Sequence, residues 1–120
     1  LYNLKDDSAY LIVFWSSTCG HCLNEIPDLY QFITTQTNTI KVIAIGLEDD
    51  SILWKIEKQK YPLFTHVLGT GKWENKICKS YNVNATPEYF LLDKEKTIIA
   101  KPFDVEALKN YLKSQDSTQK

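Results

Sequence analysis

The chain has 120 residues, 43% of them hydrophobic and 24% charged, with a formal net charge of −1 and a pI of about 6.1. That composition fits one ordinary globular domain with a single core. It excludes a nucleic-acid binder built on a clustered basic surface, and the longest apolar run, Tyr10–Trp15, is too short to span a bilayer.

Residues 1–9 are polar at their end, with Asp6-Asp7, and read as a lead-in. No signal peptide or membrane span is visible. The first residue is Leu1, so we read the chain as a mature form or an excised piece. Tyr10–Trp15 is β-branched and aromatic, which predicts a strand buried on both faces. Ser16-Ser17-Thr18 supplies capping hydroxyls. From Cys19 onward Cys22, Ile26, Leu29 and Ile33 form a helical stripe, interrupted by Pro27. Lys41–Leu47 predicts a second buried strand, completing a βαβ unit with parallel pairing. Ile52, Leu53 and Ile56 predict a helix over 50–60, and Leu63–Val67 a third strand. Gly69-Thr70-Gly71 reads as a loop, and Trp73, Ile77 and Tyr81 as one face of a short helix. Glu88–Leu92 and Thr97–Lys101 flank a turn and predict a β-hairpin. Asp104 is placed to cap a last helix carrying Val105, Leu108 and Leu112. Residues 114–120 read as a frayed polar tail, leaving 10–113 as the domain.

The chemistry sits in Cys19-Gly20-His21-Cys22. Two cysteines three apart at a helix start have neighbouring side chains and can close a disulfide. Free N–H groups at the helix N-terminus favour a negative sulfur on Cys19, and thiolate is the nucleophile. His21 adds a cation nearby. Cys22, one turn deeper, is expected to be more buried and less acidic. The division of labour follows: Cys19 attacks a disulfide and Cys22 resolves the mixed disulfide. An inert short-range disulfide or half of a metal site uses the same spacing. Cys78, His66 and His21 match no common zinc pattern with the pair, and Leu23 after Cys22 excludes haem attachment.

With these residues in hand, the chain resembles the thioredoxin superfamily. Phe14 to Cys22 resembles its active-site strand and loop, and Pro27 its helix proline. Asn84-Ala85-Thr86-Pro87 resembles the loop that carries its cis-proline, and Glu88–Asp93 the strand after it. Cys22-Leu23-Asn24-Glu25-Ile26-Pro27 is most similar to the TlpA-like and ResA-like thiol reductases of bacterial envelopes. The resemblance covers about residues 8–113. It implies a three-layer α/β/α thioredoxin fold, with a mixed central sheet, a βαβ unit and a C-terminal β-hairpin plus helix. It also implies a cis Thr86–Pro87 bond shaping a substrate edge, and Trp15 walling the site, while the residue itself equally reads as core filling or as both. The bacterial envelope becomes the expected location, with the cytoplasm still open. The chain departs from thioredoxins proper at Val13, where they carry a buried aspartate, and at Thr18, where they carry tryptophan. Its Gly-His dipeptide is that of protein disulfide isomerases.

The expected activity is thiol-disulfide exchange with protein thiols and disulfides, by a monomer, with a separate electron donor or acceptor protein. No cofactor or metal is required, since the cysteine pair is the redox centre. Glu25 either accepts the proton of Cys22 or lies on a solvated helix face. His66, Trp54 and Trp73 read as packing residues, and Cys78 as a small buried hydrophobe. Helix-end stabilisation favours the reduced form and so an oxidant or isomerase. The subfamily resemblance favours reduction, and our expectation is reduction or general interchange. A peroxiredoxin-like peroxidase matches at Ser16, but Ile12 stands where its motif has proline and the chain has no arginine. A non-catalytic peptide-binding module and a metal-binding module are two further readings that these residues allow.

Overall fold

The computed structural model describes residues 9–36, 40–48, 51–70, 76–81, 83 and 85–118. Five strands are joined in the order β3-β2-β1-β4-β5. They are β1 (Ala9–Trp15), β2 (Ile40–Glu48), β3 (Thr65–Thr70), β4 (Glu88–Leu92) and β5 (Ile98–Ala100). The helices are α1 (Gly20–Gln36), α2 (Ser51–Glu57), α3 (Lys76–Ser80) and α4 (Val105–Thr118). β1 runs parallel to β2 and antiparallel to β4, so the sheet is mixed.

Alternation along each strand divides the core. Leu11, Val13 and Trp15 of β1, Val42 and Ala44 of β2, and Tyr89 and Leu91 of β4 share one face with α1 and α4. The stripe Cys22, Ile26, Leu29 and Ile33 is the buried face of α1, as the spacing requires, and Val105 and Leu108 are that of α4. Ile12, Phe14, Ile45, Leu47, Phe90 and Leu92 face the other way, against Tyr81 and Val83 beyond α3. Burying a large apolar side chain contributes about 1.5–3 kcal/mol, so this two-sided sheet supplies the rigid base from which the β1–α1 loop projects.

Three elements differ from the sequence reading. The helix expected over 50–60 is α2 followed by a 3-10 turn at Lys58–Lys60. Its buried residue is Trp54, while Ile52, Leu53 and Ile56 are 64%, 49% and 53% exposed. The reason lies in β2. Gly46 has no side chain, and a Cβ there would meet Trp54 Nε1 at 2.4 Å, so the indole occupies that slot and sets which face of α2 turns inward. Second, β3 begins two residues later than Leu63 and runs through Gly69 and Thr70, which as local sequence look like loop. Parallel pairing with Leu47 and Glu48 draws them into the sheet. Gly69 suits the position because an added Cβ would press on Leu47 Cδ2 at 3.2 Å and the Gly46 carbonyl at 3.3 Å. Third, α4 continues through Ser114 to Thr118, where polar composition suggests a frayed tail. The lead-in before Ala9, Gly71, Trp73 and Asn84 lie outside the described residues, as do the side chains of Ile77 and Cys78.

The hairpin and the last helix form by local polar chemistry. Asp93 accepts from Glu95 and Thr97 N–H through Oδ1 and from Lys96 N–H through its carbonyl, and Lys96 takes φ 66 to close the turn. Asp104 Oδ1 accepts the Ala107 N–H at 2.8 Å, an N-cap in the expected place. No helix among the described residues is long and apolar enough to cross a membrane.

Candidate active site

β1 ends at Trp15 and the chain turns sharply through Ser16-Ser17-Thr18. The turn is closed by the Cys19 N–H donating to the Ser16 carbonyl at 3.1 Å. Ser16 Oγ accepts the Thr18 N–H at 3.2 Å and lies 2.9 Å from the Thr18 hydroxyl. The Cys19 carbonyl accepts from Leu23 N–H at 3.0 Å, so Cys19 is the N-cap of α1. Its sulfur does what a capping oxygen does elsewhere: it accepts the Cys22 N–H at 3.1 Å.

Both cysteines are free thiols in very different surroundings. Burial by itself pushes the Cys19 thiol up. Hydrogen bonds to its sulfur from Cys22 and Thr86, and from the backbone of Cys22 and His21, outweigh that and hold it below the ordinary thiol value. Cys22 is fully buried. Burial, together with its hydrogen bond to Cys19, pushes it up to about 12. The two sulfurs therefore stand side by side with opposite shifts, Cys19 more acidic and Cys22 less acidic than an ordinary thiol.

The opposite wall comes from the lead-in to the neighbouring strand β4, whose start lies beside the end of β1. The Thr86–Pro87 peptide bond is cis, and the Cys19 thiol donates to the Thr86 carbonyl at 3.6 Å. Thr86 and Pro87, 67 and 68 positions after Cys19 in the chain, are half-buried beside it. His21 is exposed on the first turn of α1 and makes no side-chain hydrogen bond among the described residues. Gly20 is exposed, and an added Cβ would meet nothing within 4 Å, which leaves the approach to Cys19 open.

Two expectations change. Trp15 is 1% exposed and packs edge-on against Tyr61, so it lies beneath the site as core and presents no surface to a substrate. Glu25 does not lie on a solvated face. It is half-buried, and its Oε1 accepts the Tyr89 hydroxyl at 2.7 Å and the Val105 N–H at 3.0 Å. The Tyr89 phenol is kept far above its ordinary pKa by burial, then by Glu25, with Cys22 and Asp104 adding repulsion. Tyr89 thus bonds Glu25 and lies in the same buried cluster as Cys22.

The sequence reading missed Tyr89 and Glu48. Glu48 closes β2 as a charged residue in a strand that is otherwise mostly apolar, and its carboxylate meets Ser16 and Ser17. A groove of about 380 Å³ beside the site was also not foreseen. It is lined by Leu23, Pro27, Tyr30, Glu57, Lys60 and Tyr61. Among the described residues no group of three His, Cys, Asp or Glu side chains gathers to hold a metal ion.

Comparison with known proteins agrees with this architecture. A domain of a possible thiol-disulfide isomerase from Cytophaga hutchinsonii superposes with a TM-score of 0.74 at 28% identity, over 94% of this chain and 78% of that one. StoA from Bacillus subtilis superposes at 0.67 with 25% identity, over 88% and 82%. A thiol-disulfide oxidoreductase from Bacteroides fragilis shares the fold at 0.73 and 23% identity, over 90% and 81%. No curated protein matches by sequence. The family model described as Redoxin matches residues 2–113, and the chain belongs to that family, with the thioredoxin-like fold of the thiol-disulfide oxidoreductases.

Proposed function

We propose that the protein exchanges disulfides with protein substrates through Cys19 and Cys22. The observation that carries this reading is the Cys19 sulfur at the N-cap of α1, accepting the Cys22 N–H at 3.1 Å. The Cys19 thiolate attacks a substrate disulfide. One substrate sulfur leaves as thiolate and the other stays bonded to Cys19. Cys22 then loses its proton and attacks the Cys19 sulfur, releasing the second substrate thiol and leaving the Cys19–Cys22 disulfide. Two electrons pass from the pair to the substrate, and a separate donor protein returns them.

The remaining residues take roles around that exchange. Thr86 and Pro87 offer an extended edge on which a substrate backbone docks. His21 places a cation beside Cys19 when protonated. Glu25, through Tyr89, accepts the Cys22 proton during resolution. The protein works as a monomer and without a metal or cofactor. Its location in this reading is the bacterial cell envelope, on the strength of the TlpA-like and ResA-like resemblance, and fractionation of the source cells tests it.

A redox titration against glutathione, with thiols counted by alkylation and mass, tests the central claim. The expected result is a reversible Cys19–Cys22 couple, while Cys78 stays reduced. A midpoint of about −270 mV marks a reductant, and about −180 mV or above an isomerase or oxidant. Absence of a reversible pair overturns the reading and leaves a binding module.

A further inference from the structure

Glu48 is 3% exposed, yet it is a carboxylate at the end of a core strand. Burying such a group is costly unless donors surround it. Its donors come from one place, the turn in front of Cys19. The Ser17 N–H meets Oε2 at 2.7 Å, the Ser17 hydroxyl meets Oε1 at 3.0 Å, and the Ser16 hydroxyl meets Oε1 at 3.4 Å. Ser17 is gripped at both backbone and side chain, so it can neither rotate nor lift without breaking a bond. The carbonyl of that same peptide, Ser16 C=O, accepts the Cys19 N–H and closes the turn.

We propose that Glu48 is a positioning residue for Cys19: its buried carboxylate anchors the Ser16–Cys19 turn to the end of β2 and so sets where the sulfur meets the free N–H groups of α1. This deepens the exchange reading and rests on it for its biological meaning. The anchor is needed because Thr18 and Gly20, on either side of Cys19, are exposed and bring no packing of their own.

Tether and charge act on Cys19 with opposite signs, which makes the proposal testable. A carboxylate near a thiol disfavours thiolate, so removing charge alone lowers the Cys19 pKa. Removing the tether misplaces the sulfur from the helix N–H groups and raises it. The experiment is the pH profile of Cys19 alkylation by iodoacetamide in the reduced protein, resolved by peptide mass, for wild type, Glu48→Ala, Glu48→Gln and Ser17→Ala. Near-UV circular dichroism confirms that each variant is folded. We expect Glu48→Ala to raise the midpoint by about one pH unit, and Ser17→Ala to raise it less. Glu48→Gln, whose amide oxygen still accepts the Ser17 N–H, returns it to near or below wild type. A folded Glu48→Ala with a midpoint at or below wild type overturns the proposal. If Glu48→Ala does not fold, an unchanged midpoint in Ser17→Ala overturns it. The profile is read without any partner, so it stands whether or not the wild-type pair cycles against glutathione.

Discussion

In front of Cys19, the Glu48 carboxylate takes one backbone N–H and two hydroxyls, from Ser17 and Ser16. Behind Cys22, the Glu25 carboxylate takes one backbone N–H and one hydroxyl, from Val105 and Tyr89. The chemistry of the two anchors is nearly the same, but what they join is not. Glu48 ties a strand end to an otherwise exposed turn. Glu25 ties α1 to β4 and to the first turn of α4, and its neighbours bury Cys22. Cys19 thus sits on a tethered turn, with Thr18 and Gly20 exposed on either side of it. Cys22 is enclosed, and burial together with its hydrogen bond to Cys19 raises its pKa. The two thiols differ in acidity because burial dominates at Cys22, whereas hydrogen bonds to the sulfur outweigh it at Cys19.

The sharpest way to break this comparison is to delete each sulfur. Cys19→Ser should lose exchange activity by at least about 1,000-fold. Cys22→Ser should keep the first attack and accumulate a mixed disulfide with substrate, seen by non-reducing mass spectrometry. Equal loss without a trapped adduct in Cys22→Ser would remove the division of labour.

The second effect is pH-dependent stability of the reduced form. The folded pKa of Cys22 lies above the ordinary thiol value of 9.0, at about 12. Its contribution is therefore complete below about pH 9 and is lost as pH rises toward 12, up to about 4 kcal/mol over that span. Cys19 has the opposite sign. Its folded pKa is lowered, so its contribution is present above the ordinary thiol value and is lost as pH falls through the folded one. Denaturant melts of reduced and oxidised protein should diverge above about pH 9, because the disulfide has no thiol to titrate. Parallel curves would show that Cys22 is not shielded.

A smaller effect separates the anchors themselves. Tyr89→Phe removes the hydroxyl from Glu25 and leaves the Val105 N–H as its remaining bond. We expect about 1–2 kcal/mol lower stability by denaturant melting, with slower resolution of the mixed disulfide and an unchanged Cys19 alkylation midpoint. A shift in that midpoint would show that the two regions are coupled. Smallest is Lys109→Ala, which breaks the Lys109–Asp28 pair at 3.1 Å between α4 and α1. That pair is largely in solvent, so we expect a loss below about 1 kcal/mol in the same assay. A larger loss would mean that surface charge shares the docking of α4 with Glu25.

How much of this is legible in the chain depends on separation along it. Cys19 at the helix N-terminus, the stripe Cys22, Ile26, Leu29 and Ile33, and the Asp104 cap are local patterns, and the structure carries them as read, whereas the cap expected from the Ser16-Ser17-Thr18 hydroxyls is made by the Cys19 sulfur. Trp54 is read as a packing residue and is buried, but Ile52, Leu53 and Ile56, which signal the helix, are exposed. Only the slot over Gly46 on a different strand shows that Trp54 turns inward. Glu25 allows two readings because spacing along α1 cannot reveal Tyr89, 64 residues away. Glu48 has a visible signal, a charge ending a buried strand, but no visible partner. Trp15 pairs with Gly46 in parallel register, which brings Ser17 to Glu48, and register is not written in composition or periodicity.

The order of strands and helices, the cysteine pair at a helix start and the resemblance that names its chemistry can all be read along the chain. They depend on neighbours within a few residues: capping, side-chain period and backbone sterics. What Glu25 and Glu48 hold, and the place of Trp15 under the site, follow from the folded molecule alone. Those outcomes depend on strand register and burial, which join residues 31 to 80 positions apart and set the local dielectric and hydrogen bonding that no single segment carries.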